Sequence, residues 1–189
     1  MSIITITGRI GSGKTSVASQ LSERLGYELI TIGHIFRKMA IESGNTVITL
    51  NKQAETDDSI DEKVDGMLMS LSGHSNLVVD SRLGWHFIDE SFKVYLYTEL
   101  GQAVERIYKD DRPSEDYINK TKSEFLKDIE YRMQLERERY LEKYGVDIHN
   151  TDNYNLTIDT THRTVEDVVD IILAYYKDYM RPTPELNVI

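Results

Sequence analysis

Residues 3–15 join a short β-branched run to a glycine loop and a helix, and this junction constrains the fold more than any other segment. Ile3-Ile4-Thr5-Ile6-Thr7 has the composition of a buried strand. Gly8-Arg9-Ile10-Gly11-Ser12-Gly13-Lys14-Thr15 then fits the pattern G-x-x-x-x-G-K-[ST]. Val17, Leu21 and Leu25 follow at four-residue spacing, which predicts a helix that stops at Gly26. Glycines let consecutive backbone N–H groups converge on phosphate oxygens, and the helix N-terminus adds partial positive charge. Lys14 supplies a point charge for β and γ oxygens, and Thr15 a hydroxyl for the Mg²⁺ that bridges them. ATP and Mg²⁺ are therefore the expected cofactors, with Gly8, Arg9, Ile10, Gly11, Ser12, Gly13, Lys14 and Thr15 as ATP-binding residues. In the empty loop the Lys14 side chain is expected to be solvated. At average composition the pattern arises by chance in fewer than roughly one chain of this length in a hundred.

The rest of the chain alternates short strands with helical stretches, the order that builds a parallel sheet with crossover helices. Strands are expected at Glu28–Thr31, Leu77–Val79, Val94–Tyr97 and Leu156–Ile158, in addition to the first run. Helices are expected over His34–Ser43, Glu99–Lys109 and Asn119–Tyr144, and within the polar stretch 45–73. Thr164, with Asp167 three residues on, predicts the cap of a last helix reaching Tyr176. The expected class is α/β, a P-loop fold with a five-stranded parallel sheet and flanking helices, in a single domain spanning 1–189. The segment from Arg181 has two prolines and no periodicity and is expected to be a surface tail, 181–189.

Composition narrows the partners. Lys plus Arg is 22 against 32 Asp plus Glu, a formal charge of −10, which disfavours binding to a nucleic-acid polymer. There is no cysteine, which removes thiol catalysis, disulfides and thiolate zinc sites. No apolar run approaches the roughly 18 residues of a membrane span. The first residues lack a basic region before the apolar run, so a cytoplasmic protein without membrane association is expected.

A donor loop does not say where the phosphoryl group goes. Ligands in open α/β sheets bind outside the carboxyl ends of strands, which draws attention to Gly33 and Arg37 after the second strand and to Asp80-Ser81-Arg82 after the third. A carboxylate closing a buried strand is costly without a cation or donors. Asp80 is accordingly a candidate Mg²⁺-side group with Thr15, the alternative being an acceptor for loop amides. Trp85 is expected to pack under the substrate loop rather than to stack on a base. Arg106 and Lys109 share a helix face and lead into the Arg112 loop. Arg132 and Arg139, seven residues apart, lie nearly eclipsed on the long helix, with Arg137 pointing away. Singly, each of these arginines is better explained by pairing with neighbouring glutamates; five separated basic positions converging on a triphosphate site are less easily explained that way.

The chain resembles the nucleoside monophosphate kinases, most closely cytidylate kinases of the archaeal-like branch. GRIGSGKTSVASQLSERLG, TIGHIFRKMA, NLVVDSRLGW, ERERYLEKYGVDI and YNLTIDTT carry the likeness nearly end to end. The resemblance implies phosphorylation of a nucleoside monophosphate by ATP–Mg²⁺, CMP or dCMP leading. Gly33, Arg37, Asp80 and Arg82 would bind the acceptor, and Arg106 and Arg112 would belong to a lid, 109–118, over ATP. Arg132 and Arg139, with Lys14, would be the catalytic cations, and 45–73 the mobile helical monophosphate-binding insertion. Ile32, His34, Ser81 and Arg9-Ile10 depart from the family pattern, and the acceptor base stays open. A kinase acting on a nucleoside or small alcohol, with Asp80 as general base, is the competing reading; a non-catalytic nucleotide-binding regulator is a third.

Overall fold

A computed structural model describes residues 2–45, 50, 57–109 and 120–181, the Arg37 side chain excepted. Five strands, β1 (Ile3–Gly8), β2 (Glu28–Thr31), β3 (Leu77–Asp80), β4 (Phe92–Tyr97) and β5 (Leu156–Asp159), form one parallel sheet in the order β2-β3-β1-β4-β5. Seven helices connect them among the described residues: α1 (Lys14–Leu25), α2 (Ile32–Glu42), α3 (Asp58–Ser70), α4 (Gly84–Phe87), α5 (Leu100–Lys109), α6 (Lys122–Tyr144) and α7 (Val165–Tyr179). None of them is long and apolar enough to cross a membrane.

The period-two alternation of β1 sorts its side chains between two cores. Ile4 and Ile6 join Val78, Val94 and Leu96 under α1 and α7, through Val17, Leu21, Val169 and Ile172. Ile3, with Leu77 and Val79, faces Leu68 of α3, Trp85 of α4 and Tyr140 of α6. Thr5 and Thr7 point to this second face, fully buried, and are satisfied locally, the Thr7 hydroxyl donating to the Ser81 carbonyl at 2.9 Å. A third cluster places Ile10 of the loop against Val104, Ile107, Phe125 and Ile129, so the glycine loop is anchored to α5 and α6 by an apolar side chain.

The expected elements are present with shifted ends. β4 starts at Phe92, two residues before its anticipated start, because Phe92 also packs in the first core. α2 begins at Ile32 rather than His34, since Ile32 is a core residue of the second face. α6 begins at Lys122, where Thr121 and Glu124 form a capping box that the charged sequence concealed, and it closes at Gly145. α4, one turn over Gly84–Phe87, has no periodicity by which a sequence could announce it. Thr164 caps α7 with Asp167 as anticipated.

Two glycines of the loop are forced by their neighbours. Gly8 has φ +153°, and a Cβ there would lie 2.0 Å from the backbone oxygen of Leu96. Gly11, at φ +74°, would place a Cβ 2.6 Å from that of Ala103. Gly8→Ala should therefore prise β1 from β4 and cost at least about 3 kcal/mol in urea unfolding, in line with strained backbone positions. A loss below about 1 kcal/mol would mean that the β1–β4 approach is slack.

Candidate active site

Parallel register brings Asp80 level with Ile6 and Thr31, so the ends of β1, β2 and β3 open into one cleft. Gly13 is the N-cap of α1, in left-handed conformation, and the first turn has neither a side-chain cap nor an acidic residue. The Ser12 hydroxyl donates to the Arg9 carbonyl at 2.8 Å and tightens the loop from within. A cleft of about 330 Å³ runs from Gly11–Thr15 to Arg106, Lys109 and Arg163. Its walls supply the backbone amides and cations that a polyphosphate requires.

The Lys14 side chain is half-buried rather than fully solvated. Its Nζ donates to the Arg9 carbonyl at 3.1 Å. Burial, reinforced by the like charge of Arg82, pushes its pKa down to about 7, against the pull of Asp80 and Glu136. Thr15 Oγ1 donates to Asp80 Oδ2 at 2.7 Å, and Asp80 is only 5% exposed. These two oxygens suit a hard, oxygen-seeking cation such as Mg²⁺. No group of three or more His, Cys, Asp or Glu residues forms a metal cage among the described residues.

After β3 the chain turns sharply, and each residue of Ser81-Arg82-Leu83-Gly84-Trp85 has a part in the turn. Ser81 Oγ accepts from the Gly84 N–H at 2.6 Å, and Trp85 Nε1 donates to the Arg82 carbonyl at 3.1 Å. Trp85 is buried against Tyr154 beneath the turn, as anticipated. The Arg82 side chain is thereby aimed across the sheet ends. Its Nη1 donates to the Gly8 carbonyl, and its other edge meets Glu136, Nε 3.2 Å from Oε2 and Nη2 3.5 Å from Oε1.

Glu136 is the site residue that the sequence reading passed over. Arg132 Nε reaches its Oε1 at 3.5 Å from one turn earlier. Burial alone would raise its pKa, but Arg82, Arg132, Lys14 and Arg139 hold it below the usual carboxylate range. The signal was present in the spacing: Arg132, Glu136 and Arg139 fall four and three apart, on one helix face. Arg137, off that face, pairs with Asp147 at 2.6 Å. Arg139 lies over the Tyr140 ring at 5.0 Å and donates to its hydroxyl at 3.2 Å.

Arg106 is differently placed. Its guanidinium donates to the carbonyls of Gly11, Thr160 and Thr161 and to the Thr160 hydroxyl, between 2.5 and 3.3 Å. It ties the glycine loop to the turn after β5. Arg9 lies over the Tyr97 ring at 5.9 Å. Ile10 is buried against α5 and α6. Gly33 sits in the first turn of α2, which also carries Arg37; the Arg37 side chain, Arg112 and 110–119 lie outside the described residues.

A lysine that folding discharges costs stability while it stays protonated in both states, below about pH 7. The cost fades as pH rises toward the ordinary lysine range, because the unfolded chain then holds the extra proton. Lys14→Met should accordingly melt higher than wild type at pH 6–7, with the gap shrinking toward pH 10. At pH 8, inorganic triphosphate should bind wild type with proton uptake, read as a buffer-dependent enthalpy in calorimetry, and the variant should show none. Equal buffer dependence in both proteins would place the titration elsewhere.

The profile of the cytidylate kinase-like family matches residues 3–162. A cytidylate kinase of Sulfolobus acidocaldarius is 38% identical over 174 residues, covering 90% of this chain and 92% of that protein. An S-adenosylmethionine-dependent nucleotide dehydratase of Lacinutrix mariniflava is 34% identical over 176 residues; the match covers 92% of this chain but 36% of that longer protein. Among solved structures, shikimate kinase from Acinetobacter baumannii in complex with shikimate superposes with a TM-score of 0.64 at 21% identity, over 96% of both chains, a likeness of P-loop kinase fold. Since the family profile runs unbroken from β1 to the turn that Arg106 grips, the chain belongs to the cytidylate kinase-like family.

Proposed function

We propose that the protein transfers the γ-phosphoryl group of ATP to the phosphate of a nucleoside monophosphate, with CMP or dCMP as the preferred acceptor. One observation carries the reading. A phosphate-binding loop faces a second set of cations, Arg82, Arg132 and Arg139, across the same sheet ends. Such an arrangement suits two phosphate groups meeting head to head. The family match supports the reaction, and the cytidylate kinases among the relatives support the base.

Phosphoryl transfer needs positioning and charge neutralisation more than covalent help from the protein. The glycine-loop amides and Lys14 hold the donor phosphates, and Arg106 fixes the loop that presents them. Thr15 and Asp80 would hold Mg²⁺, which would supply charge neutralisation to the donor phosphates. Arg82 grips the acceptor phosphate with Arg37, while Arg132 and Arg139 steady the group in transit. A phosphate monoester has its second pKa near 6, so the attacking oxygen is ionised at neutral pH without a base. Asp80 already accepts the Thr15 hydroxyl beside Lys14, which supports a metal-side role over that of a base. We assign the segment 45–73, including α3, to acceptor binding and 109–118 to a lid that keeps water from the γ-phosphate.

An ADP-release assay across nucleoside monophosphates and nucleosides tests the reading. CMP or dCMP should be best and UMP weaker, and cytidine should fail by at least about 10⁴ because the arginines would then close on nothing. Cytidine outpacing every monophosphate would overturn it. Arg82→Ala should weaken the monophosphate by about 1.5–3 kcal/mol, the value of a charged hydrogen bond, and ATP far less. Asp80→Asn should lower the rate yet keep the rise of kcat/KM near pH 6. Loss of that limb would indicate carboxylate base catalysis on a hydroxyl acceptor.

A further inference from the structure

Glu136 has partners of one kind. Both of its oxygens are taken by Arg82, one of them also by Arg132, and its remaining electrostatic neighbours include Lys14 and Arg139. All four cations border the place where transferable phosphate would sit. A carboxylate meant only to brace α6 against the sheet would be expected to engage a backbone amide or a side chain remote from the cleft. A planar two-oxygen anion held by two guanidinium groups instead presents the pattern of a phosphate with two of its oxygens engaged.

We propose that Glu136 is a positioning residue for the acceptor phosphate, a resident carboxylate that holds Arg82 and Arg132 at phosphate-binding spacing while the site is empty and yields them when the acceptor enters. The naming of the incoming anion as a nucleotide phosphate rests on the function proposed above; the exchange of anions does not. Geometry permits the exchange. Arg82 keeps a second tether on the Gly8 carbonyl, so its guanidinium stays at the loop end while the Nε edge changes partner. The Arg132 side chain is 38% exposed against 15% for Glu136, so an anion can approach from the Arg132 side. Electrostatics favours it too. Without an anion, the basic side chains gathered around Glu136 repel one another.

Glu136→Gln keeps the shape and removes the charge. Without added anion the variant should melt below wild type, and saturating inorganic phosphate should close most of the gap by raising the variant several-fold more than wild type. Its affinity for inorganic phosphate should be several-fold tighter, since no resident carboxylate competes. In steady-state kinetics kcat should fall about 10²-fold, the cost of misplaced catalytic groups, while KM for the monophosphate does not rise. Glu136→Asp should recover part of kcat. Equal phosphate shifts in both proteins, or a raised KM at unchanged kcat, would overturn the proposal. If Glu136→Gln folds only in phosphate, that is itself the expected rescue. If it folds in neither condition, Glu136→Asp decides: lowered kcat at unchanged melting temperature supports the role, and wild-type kcat overturns it. A wild-type protein that phosphorylates no monophosphate would overturn the acceptor reading alone, because the phosphate shifts are measured without turnover.

Discussion

Arg82 is held from opposite sides, by the Gly8 carbonyl at the end of β1 and by the Glu136 carboxylate of α6. That bridge depends on four parts of the chain being in place at once. Gly8 must lie against Leu96 without a side chain, so that its carbonyl faces the cleft. The turn after β3 must be closed by Ser81 and Trp85, so that Arg82 leaves the sheet at the right height. α6 must be pinned by Tyr140 and Ile129 so that Glu136 reaches inward. A charge pair at a half-buried rim is worth little unless its geometry is good and its spare donors are used. The apolar packing on both faces of the sheet supplies that geometry.

The cations of the cleft fall into two groups with different freedom. Arg106 is committed to three backbone carbonyls and acts as a fixed clamp between the glycine loop and the turn after β5. Arg82 and Arg132 both meet the side-chain carboxylate of Glu136, and Arg82 also donates to the Gly8 carbonyl. Lys14 neighbours Arg82 and Arg132, and partial burial beside them holds its pKa below the usual lysine range.

α3 is tied to the same long helix by its polar face. Lys143 reaches Asp58 at 2.5 Å and Asp61 at 3.2 Å, and the Tyr144 hydroxyl donates to Asp65 at 2.7 Å. These contacts are partly exposed side-chain pairs, each of modest strength. α3 also sets Leu68 into the second core, with Val64 beside it, so these polar contacts add to apolar packing.

By itself the sequence determined the glycine loop, the alternation of strands and helices, the cap of the last helix and the position of Lys14, Thr15, Asp80 and Arg82 at the loop and strand ends. Each is announced locally, by fixed spacing, by β-branched runs or by a carboxylate at a strand end. It also gave the face shared by Arg132 and Arg139, because helical geometry converts spacing into direction. It did not give Glu136, which among so many surface glutamates looks like a solvated partner, nor the partial burial of Lys14, nor the carbonyl clamp of Arg106. Those depend on what lies opposite each side chain: the register of β1 against β3 and β4, and the seating of α6 on the sheet. Hydrogen-bond partners and desolvation are properties of a neighbourhood assembled from residues more than fifty positions apart in the chain, such as Arg82 and Glu136, and only the tertiary structure brings that neighbourhood together.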